Sequence, residues 1–207
     1  MEIGIKVISE DIKDHTMKNT NVCYFTMIAV DEDGKPVPVP KLELITEGLK
    51  MSEEMKREKS LTMTMLMTPD KANFSGKNVH GGEILKMLDH VAYACAARYT
   101  GMYAVTLSVD MVLFKDPIKI GSLVTFHASV NYTGRTSMEI GIKVISEDIK
   151  DHTIKNTNVC YFTMISVDED GKPAPVPKLD LVTEDDKRRY NDAIARRETR
   201  MSSRHAK

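Results

Sequence analysis

Three cysteines in 207 residues, Cys23, Cys95 and Cys160, are too few for a disulfide framework, which suits a reducing compartment. No apolar run approaches the roughly 18 to 20 residues of a membrane span, and the opening MEIGIKVISED has neither a basic n-region nor an apolar h-region. A soluble cytoplasmic chain is the expectation. Charge of one sign is also scarce: 29 Lys and Arg face 30 Asp and Glu, for a formal net charge of -1. Bulk charge therefore gives no support to nucleic-acid binding. The basic stretch 187–207 holds a single aromatic, Tyr190, and reads as a solvated helix rather than a nucleic-acid surface. The histidines lack Cys or carboxylate neighbours at ligand spacing, so no metal site is expected, and no Ser or Cys stands at a nucleophile elbow.

What the chain does have is a second copy of part of itself. Residues 1–47 return as 138–184 with five differences: Met17/Ile154, Ala29/Ser166, Val37/Ala174, Glu43/Asp180 and Ile45/Val182. A solenoid stacks several similar units, whereas here only one copy is preceded by a long unique segment, 61–137. The sequence thus divides into a truncated duplicate at 1–47, a charged linker at 48–60, a complete module at 61–184 and a basic tail at 185–207 that is helical or disordered. Met51 is a natural start for that module. The leading copy lacks its own beginning, and residues 1–50 are expected to be peripheral to the working module.

Within the module, PDKANFSGKNVHGG marks a loop and its Gly-Gly pair opens a helix. From Glu83 to Tyr99, Ile84, Leu88, Val91, Cys95 and Tyr99 fall on one stripe, with Leu85, Ala92 and Ala96 beside it, and Gly101 is a suitable stop. The period then changes to two. Val105, Leu107, Val109, Met111 and Leu113 alternate with polar residues, and further strand-like runs follow at about 123–132, 137–146 and 157–167. One helix followed by antiparallel strands wrapped around it is an α+β layout.

Asp89 lies on the flank of the apolar stripe, where a carboxylate either faces a cleft or is paired, or simply touches solvent beside His90 or Lys86. Asn78, upstream in KNVHGG, is placed to hydrogen-bond a carbonyl or water, or to serve as an ordinary turn residue. Gly81 and Gly82 expose backbone N–H groups at the positive end of the helix, suited to a polarised carbonyl, although two glycines also merely let a loop turn into a helix. His80 and His90 read as structural.

The runs NVHGGEILKMLDHVAYACAARYTG, SVDMVLFKDPIKIGSLV, NYTGRTSMEI, TNVCYFTM and VDEDGKPAPVPKL, in this order, resemble the hotdog-fold acyl-CoA thioesterases of the cytosolic acyl-CoA hydrolase branch. The resemblance covers residues 61–184. It implies a long central helix wrapped by an antiparallel sheet, modules joined edge to edge as a homodimer or trimer of dimers, and hydrolysis of acyl-CoA to CoA and a carboxylic acid. No metal or other cofactor is implied, CoA being part of substrate and product. On this resemblance Asp89 is the catalytic carboxylate, as general base or nucleophile, and Asn78 the catalytic amide. The Gly81 and Gly82 N–H groups stabilise the oxyanion, while Arg135, Thr136 and Ser137 contact the CoA phosphates. Two other outcomes are a non-catalytic acyl-CoA-binding regulator on the same fold and a hydratase, the latter disfavoured because no Asp-x-Asn-Pro-x-x-His-like loop is present.

Overall fold

The computed structural model describes residues 1–12, 15–39, 57–110 and 112–205. Most of the linker at 48–60, with Met51, and the strand residue Met111 lie outside them. The chain divides into two units, Met1–Lys56 and Arg57–Lys207.

In the second unit, strand β3 (Ser60–Leu66) leads through a 3₁₀ turn at Pro69–Lys71 to helix α1 (Gly81–Thr100). Strands β4 (Tyr103–Val109), β5 (Leu123–Thr133), β6 (Ser137–Glu147) and β7 (Ile154–Val167) follow, then helix α2 (Glu184–His205). β1 and β2 belong to the first unit and span Glu2–Glu10 and Met17–Thr26. The five strands of the second unit form an antiparallel sheet in the order β3-β5-β6-β7-β4.

The local causes are legible. His80 caps α1, its imidazole accepting the Gly82 N–H, and Gly101 ends the helix in the left-handed conformation at φ 70°. Ile84, Leu88, Val91 and Cys95 on α1 then pack on the inward residues of the sheet, among them Phe126, Ile140, Ile142, Phe162 and Met164. Each large side chain so buried contributes roughly 1.5–3 kcal/mol. This is the hotdog arrangement, a long helix held in an antiparallel sheet. Two local expectations fail. Leu85 points to solvent and Met87 is buried in its stead, because the buried face of α1 is centred on the Ile84–Leu88–Val91 line. In β4 the strand ends at Val109, short of 113, and a bulge at Thr106/Ser108 resets its phase. Ala104 and Thr106 face α1, leaving Val105, Leu107 and Val109 exposed.

The described residues of the first unit show the duplicate as a strand pair by itself. β1 and β2 pair antiparallel with Gly4 opposite Tyr24 and a register shift at Val7/Ile8, matching Gly141 opposite Tyr161 and the shift at Val144/Ile145. Even the turns agree, with His15 at φ 56° and His152 at φ 57°. Burial does not. Ile5 is 42% exposed and Phe25 51%, against 1% for Ile142 and 2% for Phe162.

The cysteines report the same contrast. Burial pushes the Cys95 and Cys160 thiols up to about 12, with the Asp110 charge adding to the effect on Cys160. Both therefore stay protonated, hence unreactive, across the working range. Cys23 is only half-buried. Iodoacetamide at about pH 8 is expected to label Cys23 well before Cys95 or Cys160. Peptide mass spectrometry reads the order, and equal rates at Cys23 and Cys160 would mean that the β6–β7 pair opens to solvent.

Candidate active site

Asp89 sits in the middle of α1, eight residues and therefore about 12 Å beyond its first residue. The side chain is solvent-exposed, and its Oδ1 accepts a hydrogen bond of 2.6 Å from the Thr106 hydroxyl on β4. Thr106 follows Ala104 in unbroken register with β7 and stands opposite the buried Met164, so its hydroxyl faces the helix while Val105 turns away. Thr106 also lies 3.4 Å from the Met164 sulfur, so its rotamer is held from two sides. The second carboxylate oxygen meets no partner among the described residues.

The loop before α1 is closed by a bridge between Ala72 and Val79, and a second bridge joins Asn78 to Lys119. The Asn78 carbonyl accepts the Asn73 N–H at 2.8 Å, while its side-chain amide meets no partner among the described residues. Asn73 is half-buried and builds the turn itself, its Oδ1 accepting the Ser75 N–H and hydroxyl at 3.1 and 2.7 Å. At the helix start the two glycines differ. The Gly82 N–H is already given to His80 Nδ1 at 2.9 Å, whereas the Gly81 N–H meets no acceptor among the described residues. A Cβ at Gly82 would come within 2.9 Å of that same imidazole nitrogen, so the tight cap itself calls for glycine.

Arg135, Thr136 and Ser137 form the β5–β6 turn, tied by Gly134 N–H to the Ser137 carbonyl at 2.7 Å. The Thr136 and Arg135 carbonyls accept N–H groups from Ser166 and Val176, leaving the Arg135 side chain exposed. Ser137 pairs with Ile165 near the end of β7, which in turn pairs with Val105 near the start of β4. The turn therefore lies toward the C-terminal end of α1, and the Asn78–Gly82 segment at the other. Within one chain Asp89 meets Thr106, not Asn78.

Three polar features carried no signal in the pattern. Thr106 looked like an ordinary solvent-side residue of an alternating strand. Glu139 on β6 is buried, 1% exposed, and is bound by Arg196 and Arg200 of α2, the closest approaches being 2.7 and 3.1 Å. Arg200 also meets Asp110 at 2.6 Å, and Arg196 lies 3.6 Å from the centre of the Tyr161 ring. Asn158, 2% exposed on the helix-facing side of β7, has both amide atoms unpartnered among the described residues.

A long helix held in an antiparallel sheet, with a carboxylate bonded to a strand hydroxyl at mid-helix, defines a hotdog module. Residues 76–152 match the family description "Thioesterase superfamily". "Protein VdlD" of Helicobacter pylori is 55% identical over 140 residues, covering 68% of this chain and 79% of that protein. Among solved structures, an apo-hexameric acyl-CoA thioesterase is 35% identical with a TM-score of 0.67, covering 70% of this chain and 92% of that one. The acyl-CoA hydrolase of Staphylococcus aureus, determined with butyryl coenzyme A and coenzyme A, is 28% identical with a TM-score of 0.66, over 72% and 90% of the two chains. Alanine variants of that enzyme at a threonine, an aspartate and an asparagine have similar structures. The chain belongs to the thioesterase superfamily.

Proposed function

We propose that this protein hydrolyses acyl-CoA thioesters to free CoA and a carboxylic acid, with Asp89 as the reacting carboxylate. The observation that carries the reading is the Asp89–Thr106 hydrogen bond. In the Staphylococcus aureus hydrolase the aspartate and threonine chosen for replacement are seventeen positions apart, as are Asp89 and Thr106 here. Thr106 fixes one carboxylate oxygen, and the other either removes a proton from water attacking the thioester carbon or attacks that carbon itself. The carbon–sulfur bond then breaks and the CoA sulfur leaves, taking up a proton to become the thiol; on the second route water next hydrolyses the acyl-Asp89 anhydride, releasing the carboxylic acid and restoring the carboxylate. Free N–H groups at a helix start suit the carbonyl oxygen, and Gly81 supplies one here, whereas Gly82 would first have to surrender its bond to His80. No metal or redox cofactor enters this chemistry.

The amide partner has two candidates. Asn78 is eleven positions before Asp89 and Asn73 sixteen, and the asparagine replaced in the Staphylococcus aureus enzyme is fifteen before its aspartate. Asn73 is the better match by spacing. Since no described contact brings either side chain to Asp89 within the chain, the site is completed by a second protomer. β4 supports this assembly: it is an edge strand whose Tyr103, Val105, Leu107 and Val109 are all more than 40% exposed, an edge that invites a partner strand. A homodimer, alone or as a trimer of dimers, places the Asn loop of one protomer by Asp89 of the other. Arg135, Thr136 and Ser137 are proposed contacts for CoA phosphates, and the compartment proposed is the cytoplasm.

Release of free thiol from butyryl-, octanoyl- and palmitoyl-CoA tests the activity. Turnover of at least one is expected, and CoA binding without turnover of any would instead make the chain an acyl-CoA-binding regulator. Asn73→Ala is expected to lower kcat about a hundredfold and Asn78→Ala less than tenfold. The reverse order would return the role to Asn78.

A further inference from the structure

Two apolar side chains near the start of α1 are left out of the core. Gly81, Leu85 and Asp89 follow one another at intervals of four residues, so they share one exposed face of the helix, about 6 Å apart along its axis. Leu85 stands between the Gly81 N–H, unpaired among the described residues, and the carboxylate; it is 42% exposed, although Met87 two positions on is buried. Phe114 reaches the same place from the connection between β4 and β5. A Cβ on Gly81 would lie 3.8 Å from its ring, which is 49% exposed. That connection is tied on both sides of the ring's neighbourhood, the Lys115 N–H to the Thr157 carbonyl at 3.2 Å and the Ile118 carbonyl to the Val79 N–H at 2.8 Å. Apolar residues scattered singly over a surface need no explanation, but two that border one unpaired donor do.

We propose that Leu85 and Phe114 are specificity-determining residues for the acyl group, an apolar wall for its first carbons while the Gly81 N–H holds the carbonyl oxygen. The proposal rests on the acyl-CoA reading above and adds to it which half of the thioester the exposed side chains select. An oxygen bound to the Gly81 N–H brings the carbonyl carbon beside the Phe114 ring, and whatever is attached to that carbon lies within about one helical turn of Leu85. Two groups are attached. The sulfur leads into an arm whose amides would lose water against an apolar wall. The acyl carbons have no such water to lose, and each methylene they bury adds about fourfold to affinity. Leu85 is one turn from Gly81 and one turn from Asp89, so it borders the reacting carbon whether the carboxylate comes from the same protomer or from its partner.

The ratio of kcat/KM for butyryl-CoA to that for acetyl-CoA, which differ by two methylenes, tests the assignment. Wild type is expected to prefer butyryl-CoA about tenfold. Leu85→Ala and Phe114→Ala should each lower the ratio to about threefold, and the two together to about one, whereas Leu85→Met, apolar and of similar volume, should keep it. The ratio is the measurement because damage to the fold or to the assembly lowers both substrates alike. A wild-type ratio near one, or a preference that survives the double change, would overturn the wall. Should the double variant not fold, Phe114→Ala alone decides by the same ratio, its ring being half in water already. If no acyl-CoA is turned over, the functional reading fails separately. Calorimetric titration with butyryl-CoA and acetyl-CoA then decides: a tenfold tighter butyryl-CoA that the alanine changes abolish upholds the wall, and equal affinities reject it.

Discussion

Asp89→Ala is expected to lower kcat/KM for acyl-CoA hydrolysis by roughly 10²–10⁴, the range for losing a positioned general acid–base group, and more if the carboxylate is the nucleophile. Because the side chain is exposed and its recorded bond is to Thr106, the same change should leave the melting temperature nearly unaltered. Thr106→Val separates position from chemistry. It keeps the carboxylate and removes the hydroxyl that orients it, so a smaller loss in kcat, about tenfold, should appear with little change in KM. Thiol release followed by a chromogenic disulfide, with thermal melts on the same samples, measures both. Near-normal turnover by a folded Asp89→Ala protein would remove this residue from the mechanism.

The largest expected effect on stability lies on the opposite face of the sheet. Replacing Arg196 and Arg200 together by Met leaves the Glu139 carboxylate, 1% exposed, without either of its guanidinium partners. Stranding a buried charge costs about 3–5 kcal/mol, which for a chain of this size lowers the melting temperature on the order of 10 °C. Adding Glu139→Met should recover much of the loss, since an apolar cluster of similar volume replaces the whole ion network without an unpaired charge. Differential scanning calorimetry of the double and triple variants checks the pair of expectations. A double variant melting within about 2 °C of wild type would show that α2 is not what shields Glu139.

How much of this was written in the sequence depends on how local each cause is. The hotdog arrangement was legible because helix and strand periods, the loop before the Gly-Gly pair and the Gly101 stop are properties of neighbouring residues, and the resemblance of several ordered motifs agreed with them. Asp89 stood out for the same reason, as a carboxylate on the flank of an apolar stripe. Thr106 did not. In the alternation it is one more polar position, and only the register with β7, which sets it opposite the buried Met164, shows that its hydroxyl faces the helix. His80 was read as structural, but that its ring takes the Gly82 N–H expected for the oxyanion depends on a rotamer that spacing does not fix.

The duplicate gives the clearest division. Its sequence determined the strand pairing, the register shift and the left-handed turn residue, all reproduced in β1–β2 and β6–β7, because these follow from backbone preference and side-chain alternation within some thirty residues. Tertiary structure alone decided that Phe162 is core while its copy Phe25 is half in water, because burial needs a second surface, and for Phe162 that surface is α1. The same holds for Glu139. It is buried because α2, some sixty residues away, lays two guanidinium groups over it, whereas a carboxylate in an isolated strand would stay in solvent.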